Sequence, residues 1–599
     1  LNPEPLNPEP LNPETIPARV FAHARGLGEA PCWWAHDGEA WRATSWAEAG
    51  RRVEQAARAM MAFGLKPGDR VCILGFNREA WVVADIGAMA AGGVPAGIYE
   101  TCSAEEIGWI VEHAEAELIF VENEALLARV QQARATLPRL RQIVLFPGEP
   151  AGEDPSVSTW EAFMQRAGEV SESAFRARLD SLAAQDPATF IYTSGTTGPP
   201  KAVMLSHENL AWTAAQAVGM AGLQPGDSTV SYLPLCHIAE QIFTIHAPAT
   251  SGSQVWFARS RESLLEDLKE AQPTVFLGVP RVWEKMHEAL SARLAAATGA
   301  KASLVSWAMD VARRVHAARN AGQQPGMGLA LQHRLATALL FKKIKPAIGM
   351  GRARFCVSGA APIAPEVLEF FTGLDLTVHE VYGQSEGSGP SSFNQPGRTR
   401  FGTVGQAFPG VELAIAADGE VLVKGKNVFL GYFKEPAATA ETLVDGWLHS
   451  GDLGSLDEQG YLRITGRKKE ILITAGGKNI SPSNIEGMLK ALPLISQAVL
   501  IGDRRRFVSA LFTLDPEAVK RLLGGRLPEQ PMQDPALVEE IQRGVDLVNS
   551  RLARVEHVRR FTILPGELSV EGGELTPTMK IKRRVVEERY AEQIEAMYA

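Results

Sequence analysis

Residues 70–99 read RVCILGFNREAWVVADIGAMAAGGVPAGIY, and three segments of this stretch decide the fold class. Arg70–Leu74 is a short apolar run of strand length, Glu79–Ala91 is helical in length and pattern, and Val94–Tyr99 is a second apolar run. Strand, helix and strand at this spacing predict a right-handed crossover in a mostly parallel sheet. The same rhythm continues outward. Upstream, Ser45-x-x-Glu48 is a capping box, and Trp46, Ala49, Val53, Ala56 and Met60 recur at helical spacing until Gly64 stops the helix. Downstream come a second capping box, Ser103-x-x-Glu106, and strands at Leu118–Val121 and Ile143–Phe146. The pattern resumes from Thr189 and runs through Thr274–Leu277 and Arg354–Val357. After about Gly402 short strands and turns take over, with Val411–Ala416 and Glu420–Lys424 flanking the hairpin signal Asp418-Gly419. From Arg467 onward, short strands (Ile471–Thr474, Ala498–Ile501, Ala510–Leu514) alternate with helices. The expected class is α/β: a large N-terminal domain over 16–466 with mostly parallel sheets, helices and a β-rich subdomain, then a small α+β domain over 467–599.

A chain of 599 residues is too long for one compact core, so at least two domains are expected. Apolar residues at 45% exclude disorder as the main state, and the net charge of −9 argues against a nucleic-acid partner. Cys32, Cys72, Cys102, Cys236 and Cys356 lack CxxC spacing, which points to a reducing compartment rather than to disulfides or zinc. No apolar run reaches the roughly 18 residues of a membrane span and no signal peptide is legible, so the expectation is a soluble, cytoplasmic protein. Residues 1–15, LNPEPLNPEPLNPET, read as a disordered tail, and ordered structure becomes legible at Ser45.

The densest chemical signal is Thr193-Ser194-Gly195-Thr196-Thr197-Gly198-Pro199-Pro200-Lys201, set between apolar strands at Phe190–Tyr192 and Val203–Leu205. Hydroxyls, glycine amides and one lysine make a phosphate cradle. It is not a Walker loop, because the spacing differs and the two prolines forbid a helix there. Gly383-Gln384-Ser385-Glu386-Gly387 satisfies the G-x-S-x-G pattern of acyl hydrolases, yet Gly387, Gly389 and Pro390 would break the helix that such an elbow needs. Glu386 suits a hard cation beside phosphate instead. Asp452, in His449-Ser-Gly-Asp452, could accept ribose hydroxyls or merely cap its turn.

Together these segments resemble the AMP-forming acyl-CoA synthetases of the adenylate-forming superfamily, in the family's order and over nearly the whole chain after the tail. The resemblance implies a phosphate loop at Tyr192–Lys201 and an acyl-site histidine, His237, in Leu233-Pro-Leu-Cys-His237. It implies an adenine-side loop at Ser358-Gly359-Ala360-Ala361-Pro362, with Glu380 and Val381 leading into Tyr382-Gly383-Gln384-Ser385-Glu386, whose glutamate, with Thr193, would hold Mg²⁺. Asp452 and Arg467 fall at the ribose positions, and Lys469 at the interdomain hinge. Lys580 falls at the mobile catalytic lysine, and Gly476-Gly477 in a segment that would turn toward the pantetheine arm. Gly75-Phe-Asn-Arg-Glu-Ala-Trp81, Gly97-Ile-Tyr99 and a helix-rich stretch from about Ala300 to Gly349 are similar to the bubblegum branch of long-chain and very-long-chain synthetases.

The reaction so implied is ATP-dependent activation of a long-chain fatty acid to acyl-AMP, then transfer to coenzyme A, with Lys201, His237, Glu386 and Lys580 as the working groups. Arg504, Arg505 and Arg506 are candidates for the coenzyme A phosphates. Arg313, Arg314, Lys342, Lys343 and Lys345 could touch the inner face of an anionic membrane. The alternatives are an enzyme loading a free acyl carrier protein and, from another class, a serine acyl hydrolase using Ser385.

Overall fold

The computed structural model describes residues 14–150, 152–193, 199–476, 478–569, 572–576 and 580–599. Its centre is an eight-stranded sheet in the order Gly431–Tyr432, Lys201–Ser206, Pro187–Thr193, Val94–Ile98, Arg70–Leu74, Leu118–Val121, Gln142–Leu145 and Val157–Ser158. The six strands from Pro187–Thr193 onward are mutually parallel, and the first two add an antiparallel edge. Arg70–Leu74 lies inside the sheet, which explains its uninterrupted apolar run. Its alternation serves two cores. Val71 and Ile73 pack with Trp81 and the Trp46–Phe63 helix, whereas Cys72 and Leu74 pack with Ile107, Ile110 and Val130 on the other face.

Local chemistry sets the helix ends. The Trp46–Phe63 helix begins where Ser45 Oγ accepts from Glu48 N at 3.2 Å and ends at Gly64, whose φ of 105° only glycine adopts cheaply. The expected box closes only halfway, because the Glu48 carboxylate pairs with Arg51 and Arg52 instead. At Ser103 both halves form. Order also begins earlier than Ser45. Thr15 caps a helix over Ile16–Gly26 that buries Ile16, Val20 and Phe21, and a hairpin joins Pro31–His36 to Trp41–Ser45. Thr15 therefore belongs to the fold and not to the tail, whose residues 1–13 lie outside the described set.

A second sheet runs Val275–Gly278, Phe355–Ser358, Val378–Gln384, Gly389–Phe393 and Gln406–Ala407, parallel over its first three strands and antiparallel after that. The β-rich texture beyond Gly402 is an antiparallel sheet built on Glu412–Ile415, Glu420–Lys424, Trp447–Leu456 and Leu462–Arg467, turning at Asp418-Gly419 as expected. The C-terminal part packs Pro482–Lys490 and Pro535–Asn549 on strands Ile495–Ile501, Val508–Leu514 and Val558–Ile563. Among the described residues no helix is long and apolar enough to cross a membrane.

The helix-rich stretch forms helices over Ala300–Asn320, Met327–Ala336 and Lys342–Ala347, with a wide π turn at Thr337–Phe341. Asp375 holds all three helices, at 3.0 Å from His316 Nε2, 2.9 Å from His333 Nε2 and 2.8 Å from Lys345 Nζ. Lys345, expected at a membrane surface, is spent on this clamp. Burial pushes the Asp375 carboxyl up, but the bonds from His316, Lys345 and His333 outweigh it and hold the group well below its ordinary range. The clamp is therefore complete above pH ~4, where an unfolded aspartate is already ionised, and weakens as pH falls further. Asp375→Ala strands a buried cation and is expected to cost about 3–5 kcal/mol of local stability. Faster amide exchange confined to residues 300–347 checks this.

Candidate active site

Loops from the N-terminal sheets and a hairpin of the C-terminal part line one cleft of about 3310 Å³. That exceeds the roughly 300–1,000 Å³ of a single small-molecule pocket and leaves room for more than one ligand.

Thr193 and Lys201 are register partners at the mouth of an antiparallel hairpin, with Thr193 Oγ1 donating to Lys201 O at 3.4 Å. Ser194, Gly195, Thr196, Thr197 and Gly198 lie outside the described residues. Lys201 Nζ sits 5.1 Å from the Tyr432 ring centre, and Tyr432 Oη donates to Glu386 Oε1 at 2.8 Å. Lysine, ring and carboxylate thus form one row, because the Gly431–Tyr432 strand pairs with Lys201–Ser206. Tyr432 was invisible in the sequence, since no charge or spacing marks it.

Glu386 occupies a tight turn, Ser385–Gly387, that runs straight into the strand Gly389–Phe393. A nucleophile elbow needs a helix after the serine. Ser385 is buried at the start of this turn, so the hydrolase alternative fails on geometry. Gly383 is obligatory, since a Cβ there would lie 1.8 Å from Gly389 O. Gln384 Nε2 is buried with no hydrogen-bond partner among the described residues, a donor left for a ligand in the cleft wall. Gly359 packs on Val381, and Ala360, at a φ of 69°, opens with Ala361 onto the cleft. Glu380 lines the cleft, its carboxyl accepts from Gly402 N at 3.3 Å, and burial pushes it up to about 8.

Asp452 is 4% exposed, and Tyr382 and Arg467 share its two oxygens. Tyr382 Oη donates to Oδ2 at 2.8 Å and Arg467 Nε pairs with Oδ1 at 3.0 Å. Arg467 is the register partner of Asp452 across the sheet. Just beyond, Lys469 lies exposed in a single turn, Lys468–Glu470. Lys468 pairs with Asp418 at 2.6 Å and with Glu420 at 3.1 Å. Glu420 also accepts from Gly451 N at 2.8 Å and contacts His449 Nδ1 at 3.1 Å. The sequence reading missed this buried carboxylate, although its alternation on a strand facing two basic residues was a usable signal.

His237 caps the Ile238–Gln241 helix, its Nδ1 accepting from Ala239 N at 3.1 Å. Two glycine-motif residues hold it in place. A Cβ on Gly97 would lie 2.7 Å from Cys236 Cα, and Asn77 Nδ2 donates to Leu233 O at 2.7 Å. Past His237 the wall becomes apolar through Leu233, Ile238, Ile242 and Phe243. A small enclosed cavity continues behind, sharing Ala217, Ile242, Phe243 and Phe355 and adding Ala221, Leu223 and Ala247.

Lys580 lines the cleft beside an antiparallel bridge between Leu575 and Ile581, its backbone N donating to Thr576 Oγ1 at 3.0 Å. Burial and the neighbouring Arg467 push its ammonium down, partly offset by Asp452 and Glu386. Gly476 lies exposed just after Thr474 and Ala475, which line the same cleft, and Gly477 is outside the described residues. Arg505 pairs with Glu595 and Arg506 donates to Tyr598 O at 2.7 Å, while the Arg504 side chain is 93% exposed beside Asp503.

A family model described as AMP-binding enzyme matches residues 20–433, and one for the AMP-binding enzyme C-terminal domain matches 469–599. The chain belongs to the AMP-binding enzyme family. This family member is 38% identical to the long-chain-fatty-acid–CoA ligase ACSBG2 of Xenopus laevis, over 94% of its own length and 80% of the relative's. It is also 38% identical to the long-chain-fatty-acid–CoA ligase FadD15 of Mycobacterium bovis, over 97% of both chains. Its fold matches the anthranilate CoA ligase AuaEII bound to anthranoyl-AMP with a TM-score of 0.72 at 19% identity, covering 97% of this chain and 98% of that one. The adenylation domain of a Segniliparus rugosus carboxylic acid reductase, bound to AMP, gives a TM-score of 0.73 at 20% identity, covering 98% and 94%.

Burial, and then the charge of Lys580, pushes the His237 imidazole down to about 4. An unfolded imidazole takes its proton near pH 6.5, so folding disfavours that proton and this position loses stability as pH falls from about 6.5 to 4. Lys580→Met is expected to raise the His237 midpoint, measured by NMR titration of the imidazole.

Proposed function

We propose that this AMP-binding enzyme joins a long-chain fatty acid to coenzyme A in two steps at this cleft. A carboxylate oxygen attacks the α-phosphorus of ATP and pyrophosphate leaves. The coenzyme A sulfur then attacks the acyl carbon of the acyl-AMP and AMP leaves. The observation that carries this reading is the polarity of one cleft: Lys201, Glu386, Asp452, Arg467 and Lys580 gather at one end, and an apolar channel leads away past His237. Two anions must meet at the polar end, so positive charge and positioning do the catalytic work, and holding the reactants together is worth up to about 7–11 kcal/mol. No side chain needs to become acylated.

In this reading Asp452 takes the ribose hydroxyls on the lone pairs that Tyr382 and Arg467 leave free, and Gly359–Ala361 with Tyr382–Gln384 frame the adenine. Lys201 and the hydroxyls of its loop hold phosphate oxygens. Neutral His237, with Nδ1 occupied, donates from Nε2 to the substrate carboxylate. The donors around Glu386 fit Mg²⁺, which usually takes one or two carboxylates and fills its octahedron with water and phosphate oxygens. Glu386 keeps one oxygen beside its Tyr432 bond, Thr193 offers a hydroxyl, and no group of three or more His, Cys, Asp or Glu that could hold a metal occurs among the described residues. Bound there, Mg²⁺ would add positive charge at the phosphate oxygens.

The small domain, taken as residues 467–599, would turn about Lys469 between steps, withdrawing Lys580 and bringing Gly476-Gly477 to the thiol. Coenzyme A is favoured over a carrier protein because the similar chains named as CoA ligases match across almost the full length. A cytoplasmic setting and a peripheral contact with the bilayer suit an enzyme whose substrate partitions into lipid.

Lys580→Ala is expected to abolish ATP–pyrophosphate exchange while supplied acyl-AMP is still converted to thioester; near-normal exchange overturns the role. AMP release should require both coenzyme A and a long-chain acid when acids from acetate to tetracosanoate are compared. Turnover of acetate or aromatic acids alone would sink the substrate assignment. Ala217→Trp, which blocks the passage to the rear cavity, is expected to shift the preference to shorter chains, read from kcat/KM across the series.

A further inference from the structure

The Met327–Ala336 helix and the π turn that continues it are apolar on both sides. Inward, Leu329, Ala336, Leu340 and Phe341 pack with Trp307, Ala308, Val311 and Ala312, and His333 is tied to Asp375. Outward, Met327, Leu331, Leu335 and Leu339 are 93%, 59%, 49% and 50% exposed. A stride of four residues keeps them on one side. They are four of the thirteen large apolar side chains exposed among the described residues, and no other helix gathers more than one. A helix apolar all round belongs in a core or in lipid, and one left open on one side calls for a cover.

Charge identifies the cover. Residues 311–365 contain nine Lys and Arg and no Asp or Glu, in a chain of net charge −9. Some of these cations are engaged within the protein: Lys345 with Asp375, Arg354 with Asp227 and Arg314 with Asp310. Arg334, Lys342 and Lys343 are exposed and interleave with Leu335 and Leu339 along the outward face. We propose that this face docks on an anionic lipid bilayer, with the leucines in the headgroup–acyl boundary and the three cations on lipid phosphates. A second copy fits poorly, because a two-fold contact would set this basic face against itself. The docking draws on the ligase reading for its purpose, since long-chain acids reside in bilayers, but not for its physics.

The test is partition of the full-length protein onto vesicles of phosphatidylcholine, with and without phosphatidylglycerol, at low and high salt. Binding is expected on the anionic vesicles and should weaken with salt. L331Q/L335Q/L339Q should lower that partition about tenfold or more. R334Q/K342Q/K343Q should erase the preference for phosphatidylglycerol. Both variants should keep the wild-type circular dichroism and the wild-type turnover of palmitate carried on albumin. Equal partition of wild type and the leucine variant, or no partition of the wild type, overturns the docking. A wild-type dimer that the leucine variant loses, without vesicle binding, assigns the face to a second copy and overturns it equally. Absence of palmitoyl-CoA formation by the wild type refutes the ligase reading and leaves the vesicle result standing.

Discussion

The buried carboxylate of Asp452 is the joint on which the polar end of the cleft depends. One oxygen is held by Tyr382, whose strand leads directly into the turn carrying Glu386, and the other by Arg467, whose strand leads directly into the turn carrying Lys469. The sheet of Tyr382 and the sheet of Asp452 and Arg467, already bonded through the Val404 and Leu462 backbones, thereby also meet at this charge. A carboxylate this buried is tolerated because a guanidinium and a hydroxyl both address it. Each oxygen still keeps accepting capacity toward the cleft. The interaction that holds the scaffold together is thus also the one presented to a ligand.

The contacts between the C-terminal part and the rest have a different character. Arg521 with Glu288, Arg551 with Glu366 and Arg281 with Asp515 are exposed ion pairs, the last at 3.7 Å, and pairs of this kind each contribute about 0–1 kcal/mol. Polar, solvent-accessible contacts of this kind let domains part at little cost. Lys580, in contrast, arrives beside Arg467 and is only partly offset by Asp452 and Glu386. The pocket is therefore short of negative charge until a polyphosphate fills it. Under the proposed rotation, this arrangement would be weakly held by its edges and favoured by its contents.

What could be read in the sequence follows from how far apart the interacting residues lie. Arg70–Leu74 and its neighbours were legible because burial on both faces leaves a continuous apolar run, and the Ser103 box because its partners are three residues apart. The Ser45 box was read as complete and is not, because Arg51 and Arg52 outbid a backbone amide for Glu48. The helix at Ile16–Gly26 was missed because it is short and follows a proline-rich run, although Pro17 sits in the first turn, where a missing amide costs nothing. Within the site, Asp452 and Arg467 were legible as motifs. Tyr432 was not, since its value lies in two contacts made across strands that are distant in the chain. Asp375 escaped for the same reason. Its partners belong to three helices that only the folded chain gathers, and Lys345 could not be known to be spent until they met.

Glu420 collects an amide, an imidazole and an ammonium from both sides of the Arg467–Lys468 junction. The ammonium it holds belongs to Lys468, the residue immediately before the pivot proposed at Lys469. With that residue moored, the proposed swing of the small domain would have one short length of backbone in which to occur, the bonds just after the mooring. Such a movement would be that of a gate on a post and not of two plates sliding. A slight change of angle there would become, far down the chain, the arrival or departure of a whole positive charge.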